Sequence, residues 1–348
     1  MLNFIINQFT YPKTIADYLK YFGLEKQPKA KVLSVDRSVE NSLSIALEVD
    51  DKNWDWKLYH PGQYVMLTVP VEGRFQTRCF SISEVNQANN EIKLGIRINQ
   101  KGTVTRYLSE RLKAGDQVEV SSAMGEFHVP TGAKSVLLVA GGSGVTPMSA
   151  IVQAEMESAS DRHIDLLYFS PSAKATMQGA FLDQYTDQSD RFGYHLVYTS
   201  DGRPEMTAEY MNSIGFELSQ YDAIMVCGPS ALKRSVYELA EAADLNADLL
   251  SENFSILDDA EEANTDLTIT FMQNNTQVQN GPGTLLELGE NAGVSLQSGC
   301  RSGICHMCSC QKVSGTVKNL LTGEISDLPN ETIQICVSQA LTDVELNQ

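Results

Sequence analysis

The sequence predicts three successive domains: an antiparallel β-barrel, a doubly wound α/β domain, and a small C-terminal domain built around a cysteine-rich loop. Three observations support this. A chain of 348 residues is too long for one ordinary hydrophobic core. Its hydrophobic pattern changes near residue 132 from period-two alternation to alternating buried strands and helices. Four of the seven cysteines lie within residues 300–310.

The charge and hydropathy of the chain exclude some classes of function. Asp and Glu number 44 against 26 Lys and Arg, which gives a formal net charge of −18. Such a chain is a poor nucleic-acid binder, because contacts to phosphates need clustered basic residues. The acidity favours partners with basic docking faces, or simply keeps the protein in solution. No apolar run reaches the ~18 residues of a membrane span, and the N-terminus lacks a signal peptide. We therefore expect a cytoplasmic protein with free thiols.

The N-terminal half divides into an extension and the barrel. Residues 1–27 form the extension, in which apolar spacing over residues 14–22 predicts one helix that ends at Gly23. Residues 28–131 are β-rich, with short strands punctuated by turn residues and one helix near residues 104–112. The clearest alternating strands are Ser42–Val49, Tyr64–Val69 and Ile92–Ile98.

The α/β domain is predicted over residues 132–257, where buried strands alternate with helices as in a doubly wound parallel sheet. An acidic linker follows at residues 258–264, and residues 265–348 form the C-terminal domain, with a hairpin and a helix before the cysteine loop. The predicted buried strands are Val136–Ala140, Ile164–Phe169, His195–Thr199 and Ala223–Cys227, and the clearest helix is Ser230–Leu245.

The cysteine loop carries the strongest motif. Cys300, Cys305 and Cys308 have the spacing C-x4-C-x2-C, and Cys336 follows on what we expect to be a later strand. This is the plant-type spacing for a [2Fe–2S] cluster, in which one loop supplies three thiolates and a distant segment supplies the fourth. Thiolate suits the role because it is soft, anionic and strongly donating to iron.

Two other kinds of metal site also use cysteine ligands. A structural zinc site with four cysteine ligands stays open, although such sites usually show two short C-x2-C pairs. A Rieske centre needs two histidine ligands, and His306 is alone in this domain. We expect His306 at the surface beside the cluster, and Cys310 as a small buried residue outside the ligand set.

The barrel contains a short segment suited to a flavin. Arg78 can clamp a phosphate, Phe80 can pack on an isoalloxazine or ribityl chain, and the Ser81 hydroxyl can donate toward the flavin N5 region. The alternative is an ordinary half-buried strand. Downstream, Gly102 and Thr105 open the single predicted helix of the barrel, whose N-terminus suits a pyrophosphate. A further turn, at Gly125, closes the barrel.

A glycine cluster in the α/β domain follows a buried strand and opens a helix. This context predicts a dinucleotide site, because glycines let the backbone approach phosphates and the helix N-terminus favours their charge. The residues are Gly141, Gly142 and Gly144, followed by Thr146 and Pro147. The choice between NADH and NADPH is open. The segment Ser170–Lys174, after the next strand, has no acid and no arginine. This composition weakly favours acceptance of NADPH.

These segments, in this order, resemble the ferredoxin–NADP reductase superfamily, and the resemblance covers about residues 28–348. Arg78–Ser81 is similar to the family's R-x-Y-[ST], with Phe80 in place of tyrosine. Gly125-Glu126-Phe127 also resembles the family's flavin domain, which implies that Gly125 belongs to the flavin site. The helix opening at Gly102 resembles the members that bind FAD more than those that bind FMN. Residues 141–147 match the G-G-x-G-x-T-P pattern, and Cys227-Gly228-Pro229 matches C-G-P.

The resemblance implies roles for further residues. Thr146 would contact the nicotinamide, and Cys227 would lie beside its C4 atom, although Cys227 taken alone is an ordinary buried strand cysteine. Ser81 and Cys227 would shape the hydride-transfer site. Glu252-Asn253-Phe254 resembles the segment that ends this domain and reaches the flavin, so Phe254 joins the predicted site. The C-terminal domain would be a β-grasp ferredoxin of the plant type.

Residues 28–348 together resemble three-domain reductase components of oxygenases and fatty-acid desaturases, and the cluster loop looks closest to the desaturase branch. The implied function is NAD(P)H oxidation, with electrons passing through FAD and the [2Fe–2S] cluster to a protein acceptor, which is membrane-bound in some systems. One alternative is the reductase of a ring-hydroxylating or other oxygenase. Another, from a different class, is a redox-sensing or interaction protein without turnover.

Overall fold

Six antiparallel strands close the barrel domain, in the order β1-β2-β5-β4-β3-β6. Buried aliphatic side chains fill its interior, because alternate residues of each strand point inward. The helix α1 (Thr103–Glu110) follows β5 and begins after Gly102. The strands are β1 (Lys29–Asp36), β2 (Ser42–Glu48), β3 (Tyr64–Val71), β4 (Arg74–Asn86), β5 (Glu91–Arg97) and β6 (Gln117–Val120).

The structure is a computed structural model, and it describes residues 29–50, 54–100, 102–186, 188–202, 204–252 and 264–348. The predicted N-terminal helix, Phe254 and all but the last residue of the acidic linker lie outside these ranges. Among the described residues no helix is long and apolar enough to cross a membrane.

The α/β domain is a five-stranded parallel sheet in the order β11-β10-β7-β8-β9, with helices between the strands. The order reverses between β7 and β10, which is where ligands bind in sheets of this kind. Its strands are β7 (Ser135–Gly141), β8 (His163–Ser170), β9 (Phe192–Tyr198), β10 (Ala223–Cys227) and β11 (Asp248–Glu252), and its helices are α2 (Val145–Glu157), α3 (Gly179–Thr186), α4 (Ala208–Ser213) and α5 (Ser230–Ala242).

Two details of this domain differ from expectation. Helix α5 ends at Ala242 and does not reach Leu245, because Asp244 has a φ of 49°, which is left-handed. Strand β11 was not predicted, since Asp248–Glu252 lacks the apolar run of a central strand. It is an edge strand that pairs only with β10 among the described strands.

The C-terminal domain has a five-stranded mixed sheet, a three-stranded sheet and one helix, α6 (Leu285–Asn291). Thr284 and Glu287 form a capping box at the start of α6. Cys336 lies in a 3₁₀ turn over residues 335–337, so its predicted place on a strand was wrong. The strands are β12 (Thr268–Phe271), β13 (Thr276–Gln279), β14 (Ser309–Ser314), β15 (Val317–Asn319), β16 (Ile325–Ser326), β17 (Glu331–Gln334), β18 (Ser338–Ala340) and β19 (Val344–Leu346).

Strand β4 contacts both of the other domains. Near its C-terminal end, the Gln153 amide of α2 accepts from the backbone N–H of Val85 and donates to its C=O, both at 2.9 Å. Near its middle, the guanidinium of Arg78 donates to the backbone carbonyl of Gly299 in the cysteine loop at 3.5 Å. The barrel, the doubly wound sheet and the small mixed-sheet domain agree with the predicted fold class.

The turn after β7 packs directly on the end of β10. A Cβ atom at position 144 would lie 2.0 Å from the carbonyl oxygen of Cys227. Such a contact forces the backbone apart, which typically costs 1–3 kcal/mol and sometimes more.

We expect Gly144→Ala to lower the free energy of unfolding by about 2 kcal/mol or more and to weaken NAD(P)H binding, because the nucleotide loop must move away from β10. Thermal unfolding and nucleotide titration measure both effects. Gly281→Ala is the control, since a Cβ at position 281 makes only ordinary contacts, the nearest at 3.7 Å. Equal stability of the two variants would contradict the packing argument.

Candidate active site between three domains

A cavity of about 620 Å³ lies where the three domains meet. This volume falls in the range of pockets that hold small molecules and cofactors. The barrel supplies most of the wall, and the α/β domain and the cysteine loop supply the rest. The lining residues include Tyr64, Phe80, Ser81, Arg97 and Gly125 from the barrel, Thr146 and Glu252 from the α/β domain, and Ser302, Ile304 and Leu321 from the C-terminal domain.

The barrel wall presents one unpaired hydroxyl. Ser81 lies on β4 opposite Tyr64 of β3, and its side chain is 4% exposed. Its Oγ atom has no hydrogen-bond partner among the described residues. An unpaired buried hydroxyl costs free energy unless a ligand satisfies it. With the Phe80 ring beside it, this wall fits the isoalloxazine end of a flavin, as the sequence predicts.

Arg78 points away from the cavity lining and toward the cysteine loop. Besides its bond to Gly299, it donates to the carbonyl of Thr77 at 2.7 Å. Burial, and then repulsion from Arg301, lowers the pKa of Arg78 to about 10. A partly buried guanidinium that has no carboxylate partner among the described residues suits a phosphate group. The environment of Arg78 is therefore compatible with the predicted role in phosphate binding. The residue lies at the boundary between the barrel and the C-terminal domain.

The helix opening at Gly102 is not part of the cavity lining. The Thr105 hydroxyl is already bonded locally, since it accepts from the Asn99 N–H at 3.0 Å and lies 3.1 Å from the Asn99 carbonyl. A pyrophosphate at this helix would therefore rely mainly on backbone N–H groups. The structure does not bring Gly102 and Thr105 together with Ser81.

The nucleotide motifs converge at the carboxyl edge of the parallel sheet. Gly141 ends β7, Cys227 ends β10 and Glu252 ends β11, and Cys227 pairs with Glu252 in register. A Cβ at position 141 would lie 2.8 Å from the Pro229 ring, so the glycine turn and the C-G-P segment pack tightly. Cys227 is fully buried, and that burial raises the pKa of its thiol. It forms the floor beneath the turn and does not line the cavity.

Arg97 crosses from the barrel to the nucleotide turn. It ends β5, lines the cavity, and places its guanidinium 3.1 Å from where a Cβ of Gly142 would be. A cation beside a glycine-rich turn favours a diphosphate. Thr146, in the first turn of α2, is buried and donates to the Ser143 carbonyl at 2.8 Å, so its hydroxyl is already used in holding the glycine turn.

Glu252 is a half-buried residue of the cavity wall, and its Oε2 atom is shielded from solvent. One of its carboxyl oxygens has no hydrogen-bond partner in the described part of the chain. Burial raises the pKa of Glu252 to about 8, so the neutral acid predominates at pH 7. A protonated carboxyl group is a hydrogen-bond donor as well as an acceptor. Glu252 can thus donate toward a ligand at this edge.

The four predicted cluster ligands lie in two pairs. Cys308 and Cys336 bring their sulfur atoms within 2.9 Å. Cys300 and Cys305 form the other pair, in which the Cys300 N–H donates to the Cys305 sulfur at 3.2 Å and their thiols are hydrogen-bonded. Within the described ranges, no three His, Cys, Asp or Glu side chains converge on a single ion position. Two pairs suit two irons with two thiolates each better than one tetrahedral zinc.

Backbone N–H groups surround the Cys300 sulfur. Ser302, Ile304 and Cys305 direct their N–H groups to it at 3.3–3.4 Å. Arg301 adopts a φ of 60° and forms a two-fold ion pair with Glu290 of α6, which fixes the loop to the domain. Such N–H groups stabilise a thiolate and tune a bound cluster. As expected, His306 is exposed and Cys310 is buried in the domain core.

Of the predicted residues, the cavity lining combines Phe80, Ser81, Gly125 and Thr146. The other nucleotide-motif residues form the packed layer around the glycine turn, and Phe254 is not described. Sequence reasoning did not assign Tyr64, Cys79, Arg97 or Glu252 to the site. Glu252 could have been predicted from the sequence, since it is the first residue of the segment Glu252-Asn253-Phe254, which resembles the family's segment near the flavin. The other three lie on ordinary strand patterns and are identified only by their position in space.

Comparison with protein-family models gives three matches along the chain. Residues 31–129 match an oxidoreductase FAD-binding domain, residues 138–238 an oxidoreductase NAD-binding domain, and residues 269–340 a 2Fe-2S iron–sulfur cluster binding domain. These domains follow the order that the sequence motifs predict. FAD, a [2Fe–2S] cluster and NAD(P)H are therefore the cofactors and the substrate of this oxidoreductase.

Relatives with similar organisation extend over most of the chain. An NADPH oxidoreductase of Mycobacterium tuberculosis is 27% identical and covers 99% of this chain and 91% of its own. Phthalate dioxygenase reductase of Burkholderia cepacia is 26% identical over 81% of this chain and 85% of its own. The solved structure of a phthalate dioxygenase reductase has the same fold, with a TM-score of 0.62, 22% identity and coverage of 92% of this chain and 97% of that chain.

The buried Glu252 carboxyl predicts a pH effect on stability. Its pKa in the folded protein is raised above the unfolded value, so the carboxyl keeps its proton on folding while the unfolded chain loses it. Stability therefore falls as pH rises from about 5 to about 8, by on the order of 1 kcal/mol per pH unit at most.

Glu252→Gln should remove that slope, because the amide stays neutral. Melting temperatures of protein and variant, measured at several values between pH 5.5 and 8, test this. We expect the melting temperature of the variant to increase relative to that of the parent protein as pH rises. A constant difference across this range would show that Glu252 is not buried as a neutral acid.

Proposed function

Because the chain belongs to the three-domain flavin and [2Fe–2S] reductases of the ferredoxin–NADP reductase superfamily, we propose that it oxidises NAD(P)H and supplies electrons singly to an oxygen-activating metalloenzyme. The observation that carries the proposal is the shared cavity. One wall holds the Ser81 hydroxyl, a second holds the nucleotide turn, and a third is the loop that bears the cysteine pairs.

The chain's residues divide this work among the three walls. A bound flavin accepts two electrons as hydride and releases them one at a time, as a one-electron [2Fe–2S] cluster requires. Ser81 and Phe80 orient the isoalloxazine. Arg97 and the glycine turn would hold the nucleotide diphosphate and so orient a bound nucleotide in the shared cavity. The packed Cys227 floor excludes water beneath that position. NADH and NADPH both fit the proposal, since Ser170–Lys174 has no carboxylate to repel a 2′-phosphate.

Two classes of protein are candidates for the electron acceptor. Relatives named phthalate dioxygenase reductase and glycine betaine monooxygenase reductase subunit support an oxygenase. The cluster-loop sequence supports a desaturase. Both acceptors are oxygen-activating iron enzymes that take single electrons, so we propose this class as the partner. NAD(P)H-dependent turnover with purified candidates of each kind distinguishes them. We also propose a reducing compartment such as the cytoplasm, since all seven cysteines are free thiols.

We expect Cys305→Ser to uncouple the two outputs of the enzyme. Reduction of ferricyanide by NAD(P)H, which needs only the flavin, should stay within about twofold of the parent rate. Reduction of cytochrome c or a protein acceptor should fall at least tenfold, because serine is a poor iron ligand. Cys310→Ala is the control, since this buried cysteine is outside the ligand set. Unimpaired cytochrome c reduction by Cys305→Ser would exclude the proposed route.

The acidic surface predicts salt-sensitive docking. Residues 321–328 form an exposed segment that includes β16 and most of the turn before it. Its apolar side chains Leu321, Ile325 and Leu328 lie at the surface, beside the acids Glu324 and Asp327. Leu321 also lines the cavity next to the cysteine loop. We propose that a basic and apolar face of the acceptor docks on this segment.

The apparent KM for a protein acceptor should therefore rise several-fold between 50 and 300 mM salt, roughly as screening predicts. The double variant Glu324→Lys/Asp327→Lys should raise that KM at low salt and leave ferricyanide reduction unchanged. Asp161→Lys/Asp190→Lys is the charge-matched control, because both acids are exposed just before β8 and β9, at the end of the parallel sheet opposite the cavity. An acceptor KM that is indifferent to salt and to the double variant would place docking elsewhere.

A further inference from the structure

Cys79 is the one cysteine of the barrel domain, and it lies against the cluster loop. It is half-buried on β4, between Arg78 and Phe80, and lines the shared cavity with Ser302 and Ile304. Its thiol faces the Cys300 sulfur and the Ser302 side chain across the boundary between the two domains. The neighbouring Arg78 holds the Gly299 carbonyl, so two consecutive residues of β4 contact two consecutive residues of the cysteine loop.

We propose that Cys79 is a positioning residue for the iron–sulfur centre, which donates a hydrogen bond from the barrel domain to the sulfur of Cys300. The inference rests on the proposed function, because it assumes that this loop carries the [2Fe–2S] cluster. Cys79 is not a fifth ligand, since Cys300, Cys305, Cys308 and Cys336 already form the two pairs that two irons require.

The consequence follows from the charge on a ligated sulfur. Hydrogen bonds to cluster sulfurs stabilise the reduced, more negative state and so raise the reduction potential. Three of the donors around Cys300 are backbone N–H groups of its own loop, which any domain of this type can supply. The donor from Cys79 exists only when the barrel and the C-terminal domain are docked. It therefore favours electron arrival at the cluster in the docked arrangement.

The contact between Cys79 and the cysteine loop also affects the distance between the two cofactor sites. Cys79 lies next to Phe80 and Ser81, which face the flavin position, and its thiol reaches the first cluster ligand. One strand thus sets the separation between the two cofactors. Replacement of the thiol should loosen this contact without touching Ser81 or any of the four ligands.

The test compares variants with and without a donor. Cys79→Val has a similar volume and no donor, and Cys79→Ser keeps one. The midpoint potential and EPR spectrum of the cluster are measured in the full-length, flavin-loaded protein by a mediated dithionite titration. We expect Cys79→Val to shift the equilibrium for cluster reduction at least threefold toward the oxidised form, about 30 mV at 59 mV per tenfold change. Cys79→Ser should retain at least half of the parent effect.

Thr77→Val is the matched control, because Thr77 lies on the same strand and its hydroxyl bonds to Thr68 at 2.7 Å, away from the loop. It should leave both the potential and the spectrum unchanged. If Cys79→Val does not load with iron, Cys79→Ala replaces it. A fully loaded donor-free variant with the parent potential and spectrum would overturn the proposal. So would an equal shift in Cys79→Val and Cys79→Ser, because packing alone would then explain it.

The titration is independent of NAD(P)H, so it separates this inference from the proposed function. Failure of NAD(P)H to reduce the cluster in the parent protein would refute the proposed electron route. An unshifted potential in Cys79→Val, with that route intact, would refute only the role of Cys79.

Discussion

The contact of strand β4 with all three domains is the constraint on which the rest of the structure depends. Arg78 bonds to the cysteine loop, and Cys79, Phe80 and Ser81 line the cavity. Val85 is fixed to α2 by two hydrogen bonds from one side chain. A strand is a stiff support, because its backbone is bonded to neighbours on both sides. Movement of β4 would therefore alter the flavin wall, the nucleotide turn and the cluster loop together.

Several polar groups around the cavity are buried without adequate partners. Among the described residues, the Ser81 hydroxyl and one Glu252 oxygen have no partner, and the Arg78 guanidinium bonds only to backbone carbonyls. Each such group destabilises the fold by roughly 1–3 kcal/mol when nothing satisfies it. Their concentration at one place fits a site formed to bind polar cofactors, since binding supplies the missing hydrogen bonds and charges. Flavin binding should thus contribute to stability as well as to chemistry.

The sequence predicted what short segments determine. Period-two alternation identified the barrel strands and the apolar run before Gly141 identified β7, because each depends on residues close in the chain. Cysteine spacing likewise predicts the ligand set. The prediction that Cys336 lies on a strand was wrong, since the turn after β17 has the apolar pattern of a strand. Strand β11 was missed because an edge strand need not be uniformly apolar.

Contacts between domains were beyond this kind of reasoning. Nothing in the pattern around Cys79 or Arg97 indicates that the first reaches Cys300 and the second reaches Gly142, since each pair joins segments far apart in sequence. These contacts depend on how three separately folded cores dock. The motifs therefore predicted which cofactors the chain binds, whereas the docking determines how the cofactor sites are connected.

The most direct test of the connection is the rate at which the cluster is reduced after anaerobic mixing of the oxidised protein with excess NAD(P)H in a stopped-flow instrument. If the three domains hold their cofactors in one assembly, the rate constant is independent of protein concentration over at least a tenfold range. A rate that rises in proportion to protein concentration would mean that electrons pass between molecules, and would contradict the arrangement around β4.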